Sequence, residues 1–187
     1  IHEDYLLFIR SSDGLGLLFQ SRGAYDQALD AFDMALEQLE LTGELSPELS
    51  RYRSKEVALL YIKILRHKGR VYLDQGFLEE ARSFYEKVRR FEDSKRSPVS
   101  FKRDVSLMAD LATLAKLEYN YDTAAYYYRL ALSSLEDYED RAKTHIEFAN
   151  YYQSLGEDSL AAMQMSAALT IDLERIQNNY TQLSERE

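Results

Sequence analysis

Lys63, Arg66, His67, Arg70 and Asp74 recur three or four residues apart, so on a helix they would share one stripe. Cations in that arrangement suit an acidic, phosphorylated or C-terminal carboxylate segment, because guanidinium groups bind carboxylate and phosphate through paired, charge-assisted hydrogen bonds. The competing reading is a solvated face on which Arg70 pairs with Asp74 across one turn, and exposed pairs of that kind contribute little. A second stripe, Lys143, Glu147, Asn150 and Gln153, has the same spacing. The candidate partner-binding residues are therefore Lys63, Arg66, Arg70, Lys143 and Asn150.

Catalytic chemistry has less to work with. His2, His67 and His145 are far apart and lack metal-ligand spacing, and there is no cysteine to add a thiolate. No phosphate-cradling glycine loop, nucleophile elbow or HExxH motif occurs. Asp137, Glu139 and Asp140 sit near an expected helix start, where capping explains them better than acid–base chemistry. The expectation is a protein that is not an enzyme and needs no metal or cofactor.

The elements that position these residues are helical. The chain has 187 residues, 45% of them hydrophobic, with 7 Gly and 2 Pro, so it can build a core but has little material for tight β-turns. Ala, Leu, Glu, Gln and Arg, all good helix formers, dominate. Within the chain one skeleton recurs. In the first unit Gly16 precedes Phe19 by one helical turn, Gly23 marks a turn, and Ala28, Phe32 and Ala35 follow at helical spacing. A small residue on each helix lets two antiparallel helices approach, aromatic rings fill the seam, and the glycine ends the first helix in a left-handed cap. Gly69, Tyr72, Gly76, Ala81, Tyr85 and Val88 repeat the pattern, as do Ala112, Ala115, Tyr119, Ala124, Tyr128 and Ala131. Ala149, Tyr152, Gly156, Ala161, Met165 and Ala168 complete it. The third unit has Tyr119-Asn120-Tyr121 instead of the turn glycine, with Asn able to take the left-handed position. The fourth has Met165 where an aromatic is usual.

This skeleton resembles the tetratricopeptide repeat (TPR) family over roughly residues 8 to 172. The resemblance implies an all-α fold: a right-handed superhelical solenoid of about four helix pairs, with a concave groove lined by the first helix of each pair. On that mapping the groove faces are Asp13, Leu17 and Gln20, then the 63–74 stripe, then Ser106, Asp110, Thr113 and Lys116, then the 143–153 stripe. Some family members clamp the carboxylate tails of heat-shock chaperones with Lys and Asn at set places. Here those places hold Asp13, Leu17, Arg66 and Arg70, and only Asn150 fits, which argues against that ligand.

The turns lie further apart than the usual repeat of about 34 residues, so some helices or connections are longer. Ser46-Pro47 and Ser97-Pro98 each set a capping serine before a proline suited to the first helical position, predicting helix starts at 47 and 98. The expected helices are 3–21, 25–41, 47–75, 77–94, 98–118, 121–136, 138–155 and 157–184. They form one domain, 1–187, of units 3–41, 47–94, 98–136 and 138–172 with a terminal extension at 173–187. That extension, with Ile171, Leu173, Ile176, Tyr180 and Leu183, suits a polar-faced cap in preference to a coiled-coil seam.

The net charge of −9 is unevenly spread. Residues 1–50 hold 2 basic and 10 acidic groups, residues 51–103 hold 15 and 7, and residues 104–187 hold 6 and 15. Part of the middle excess, from Arg82 through Lys87, Arg89 and Arg90 to Lys95, Arg96, Lys102 and Arg103, straddles an expected helix end, where cations are favoured. Such a chain fits a protein or peptide partner, an acidic one above all, or the acidic ends of another copy, and not nucleic acid. No apolar run is long enough for a membrane span. The opening at Ile1 reads as part of a longer protein, expected in the cytoplasm, with an extracytoplasmic segment as the alternative. The expected function is a non-enzymatic scaffold holding a partner segment in the groove. The alternative is a ligand- or peptide-sensing module of a larger signalling or transcriptional regulator.

Overall fold

Each turn between paired helices is built the same way, and that repetition organises the fold. A computed structural model describes residues 2–41, 55–93, 105–134 and 138–184. Among these residues there are eight helices and no strands: α1 (His2–Ser21), α2 (Tyr25–Leu41), α3 (Lys55–Asp74), α4 (Leu78–Glu92), α5 (Val105–Leu117), α6 (Tyr121–Ser134), α7 (Tyr138–Ser154) and α8 (Asp158–Ser184). The expected starts at Pro47 and Pro98, and with them the unusually long third helix, fall outside the described residues.

Consecutive helices pack as four hairpins, α1 with α2, α3 with α4, α5 with α6 and α7 with α8. In each hairpin the turn residue has positive φ: 72° at Gly23, 80° at Gly76, 60° at Tyr119 and 75° at Gly156. The next residue donates its N–H back to the carbonyl of Phe19, Tyr72, Ala115 or Tyr152 at 2.8–3.0 Å, closing the first helix in a Schellman motif. The carbonyl of that same residue then accepts the first bond of the second helix, from Ala28, Ala81, Ala124 or Ala161. One residue thus ends one helix and begins the next. The third turn differs from expectation: Tyr119, not Asn120, takes the left-handed position. Asn120 instead accepts the Thr123 N–H on Oδ1 at 3.3 Å, so its side chain caps α6.

The small residues do what their spacing implies. A Cβ at Gly16 would overlap the Phe32 ring, and one at Gly69 would lie 2.5 Å from Tyr85. Phe32 and Tyr85 are wholly buried in consequence. Hydrophobic burial of such rings, each worth a few kcal/mol, is what holds these hairpins shut.

The helices group into two compact units, Ile1–Phe101 and Lys102–Glu187, each with two hairpins. In the first, Ile9, Ala28, Phe32, Ala35, Leu39, Val57, Leu60, Ile64 and Val71 form a continuous core across α1, α2 and α3. In the second, Ala112, Ala115, Ala124, Ala125, Tyr128, Phe148 and Tyr151 do the same across α5, α6 and α7. The outer face of α8 departs from the expected polar cap: Met165, Leu169, Leu173 and Ile176 are exposed, while Gln164, Ala168 and Ile171 are buried.

Candidate functional site

In the first unit, α1 and α3 run side by side and are cross-tied by polar side chains. Arg10 pairs with Glu56, Asp13 meets Lys63 and His67, and Gln20 meets Asp74. Residue numbers on both helices rise together along this ladder, so the two first-of-pair helices are parallel. α2 runs the other way against α3: Asp33 pairs with Lys68, while Glu40 lies near Tyr61.

The central tie is buried. The Asp13 carboxylate takes His67 Nδ1 at 2.6 Å on one oxygen and Lys63 Nζ at 2.9 Å on the other. An ionised carboxylate can only accept, so Nδ1–H donates. Burial by itself would raise the Asp13 pKa, but the hydrogen bonds and charges of His67 and Lys63 outweigh it and hold the carboxyl below its ordinary value. The His67 ring is also tilted against Phe32 at 5.6 Å, joining the polar tie to the apolar seam beneath. Further along, Gln20 Nε2 donates to Asp74 Oδ2 at 2.7 Å on the surface.

The sequence-derived candidates fare unequally. Lys63 is half exposed, its side chain at 51%, and lies over the tie with its charge matched by Asp13. Arg66 is only 8% exposed, so it cannot form part of an open cationic floor. Arg70 is half-buried, and both arginines have interactions of their own. Asp74 is held by Gln20, a partner on another helix that one-turn spacing could not reveal. Lys143 and Asn150 stand exposed on α7 in the second unit, two turns apart on one stripe. On the neighbouring face, Asp110 is buried and the Thr113 hydroxyl donates to the Ala109 carbonyl at 3.0 Å. The residue sequence reasoning undervalued is Asp13. Its signal was present: an acid on a first-of-pair helix, opposite a stripe of cations.

Other charged and aromatic clusters are largely occupied within the fold. On α4, Arg82 pairs with Glu79 at 3.7 Å and Arg90 with Glu86 at 3.1 Å, and Lys87 sits 4.5 Å from the Phe84 ring centroid. Lys95, Arg96, Lys102 and Arg103 lie outside the described residues. Of the adjacent Tyr126 and Tyr127, the first is exposed and the second half-buried, as expected of neighbours that cannot share one core. His145 Nδ1 is 2.7 Å from Gln164 Oε1. Among the described residues no helix is long and apolar enough to cross a membrane, and no three His, Cys, Asp or Glu side chains are grouped to hold a metal.

No family model matches the chain, and no curated protein matches it. Among solved structures it is similar to BtubC (BKLC) from P. vanneervenii, at 21% identity and a TM-score of 0.61. The likeness covers 91% of this chain and 65% of that chain, and concerns the fold.

Proposed function

We propose that the chain is a non-catalytic binding module of the TPR type, holding an extended segment of another protein along the α1–α3 face. The observation that carries this reading is the cross-tied ladder. Polar ties at three levels fix two parallel helices, so the face between them is pre-organised, which lowers the ordering cost of binding. Along it, exposed Leu17 offers apolar contact and half-exposed Lys63 offers a cation with its long aliphatic stem. Half-exposed Lys63 is the cation on this face that an acidic group of the segment would meet. The mixed character of the face fits a ligand recognised by backbone and side chain together more than one bound by charge alone.

A photo-crosslinking residue placed at Leu17 in the intact protein is expected to capture a discrete partner, while the same residue at exposed Glu80 on α4 captures none. Leu17→Glu should weaken that capture about tenfold or more. Equal capture from both positions, or capture indifferent to Leu17→Glu, would remove the face from consideration.

A further inference from the structure

The internal register shows which faces of a hairpin its neighbours cover. Nine residues after the turn, Phe32 and Tyr128 project from α2 and α6 onto the following helix. Phe32 meets His67 of α3, and Tyr128 stacks on Phe148 and Tyr151 of α7 at 4.9 and 5.6 Å. Thirteen residues after the turn, Leu36 and Leu132 flank these contacts and are partly buried by them. On α7 the receiving positions lie eight and five residues before the turn, Phe148 and Tyr151. At the same places on α3, Lys68 pairs with Asp33 beside the Phe32–His67 contact and Val71 shares the core with Phe32. All four are buried.

Two faces carry these positions and are uncovered. On α1 the receiving residues are Leu15 and Leu18, 44% and 45% exposed, continued by exposed Phe8 and Leu7. On α8 the projecting residues are Met165 and Leu169, continued by Leu173 and Ile176; Leu169 is 59% and Leu173 66% exposed. Contiguous apolar stripes of this kind mark interaction surfaces.

We propose that these faces are complementary, and that α8 of one copy packs on α1 of a second copy in the register α2 uses on α3. In that antiparallel register, Asp33 and Lys68 are opposite each other. Carried to the free faces, it sets Ser166 opposite Leu15, Leu173 opposite Phe8, and Leu169 over Ser12, beside the small exposed Ser11. Met165 then enters between Leu15 and Leu18, where Phe32 and Tyr128 enter inside the chain. The same register brings Asp158, in the first turn of α8, to Arg22 just past the end of α1, so opposite charges meet at the rim. Because the two surfaces differ, the contact is heterologous, and each copy keeps one free end for the next.

Light scattering and sedimentation of the protein from about 1 µM to about 1 mM, the range of weak to moderate affinities, test this directly. The mass is expected to rise above the monomer with concentration. Leu15→Glu, which blocks the α1 face, and Leu169→Glu, which blocks the α8 face, should each stay monomeric, while their equimolar mixture forms a one-to-one dimer. Both positions are exposed, so circular dichroism should match the parent. Arg22→Glu or Asp158→Arg should each weaken association about twofold to fivefold, and the double reversal should restore it. A parent that stays monomeric at about 1 mM overturns the proposal. So does a blocked variant that still self-associates, a mixture that fails to pair, or a double reversal weaker than either single change.

Discussion

The two units repeat one backbone plan with different side-chain chemistry at the contact between hairpins. In the first unit the second hairpin is joined to the first by polar ties: Asp13 to Lys63 and His67, Gln20 to Asp74, and Lys68 to Asp33. In the second unit, the corresponding contact is a stack of rings. Tyr128, Phe148, Tyr151 and Tyr152 lie with centroids 4.5 to 5.9 Å apart, and the Tyr151 hydroxyl donates to the Tyr121 carbonyl at 2.7 Å. Identical turn geometry therefore tolerates either solution. A polar contact is directional and fixes register, whereas aromatic packing supplies more burial per residue.

The difference is broken most severely by removing the ring on which the second stack depends. Phe148 touches Tyr128, Tyr151 and Tyr152 and is almost wholly buried, so Phe148→Ala leaves a cavity and should cost about 3 to 5 kcal/mol. Hydrogen exchange followed residue by residue should show faster opening of α5–α8, with α1–α3 less affected. Equal acceleration throughout would mean that the two units do not open separately.

Acid and alkali sharpen the same contrast. Burial pushes the Tyr128 hydroxyl up to about 12, with the hydrogen bond between it and the Thr113 side chain opposing this and Glu147 and Tyr151 adding to it. Burial raises Tyr151 as well. A raised folded pKa means the folded state keeps its proton longer, so this stability is complete below the ordinary tyrosine pKa and is lost as pH climbs from about 10 to about 12. For Tyr128 that amounts to about 2 to 3 kcal/mol. In the first unit burial and the charge of Glu40 raise Tyr61. Asp13 has the opposite sign. Its lowered pKa supplies stability above the ordinary carboxylate range that disappears as pH falls through that range. Denaturant titrations near pH 3, 7 and 11, read by unit, should find the first unit selectively weakened in acid and the second more strongly in alkali. Asp13→Asn should abolish the acid effect; an unchanged acid limb would assign it to other carboxylates.

The fold was legible where one residue type answers one geometric need. Gly16 and Gly69 sit where a Cβ would strike a ring, Gly23, Gly76 and Gly156 where φ is positive, and the small and aromatic positions of four hairpins share one register. The candidate site was legible only in part. Sequence spacing reports which residues share a face of one helix, so it identified the stripe from Lys63 to Asp74. It could not report how deeply that stripe is covered, which is why Arg66 was expected in the open and proved buried. Nor could it pair Gln20 with Asp74, since no local periodicity links residues on separate helices. The outer face of α8 was misjudged for a related reason. Its apolar residues were visible, but which of them α7 covers is decided by tertiary packing, and Ile171 turned inward while Leu169, Leu173 and Ile176 did not.

The smallest expected effect concerns the turns. The first unit uses glycine in both, whereas the second uses Tyr119 in one, at a φ of 60° that costs a residue with a side chain about 1 to 2 kcal/mol. Its ring is exposed and touches Tyr121 edge-on at 6.4 Å, a contact worth at most about 0.5 to 1 kcal/mol. Tyr119→Gly removes the backbone cost and that contact together, and adds about 0.5 to 1 kcal/mol of unfolded-chain entropy. The net change should fall within about 1 kcal/mol of zero. At Gly76 the opposite substitution separates these contributions. A Cβ there would meet nothing within 4 Å, so Gly76→Ala should cost about 1 kcal/mol through φ alone. Thermal unfolding of the two variants compares them directly. A loss of more than about 2 kcal/mol in Tyr119→Gly would show that the Tyr119 ring is a structural contact of the second unit, and that its turn is held by aromatic packing as its core is.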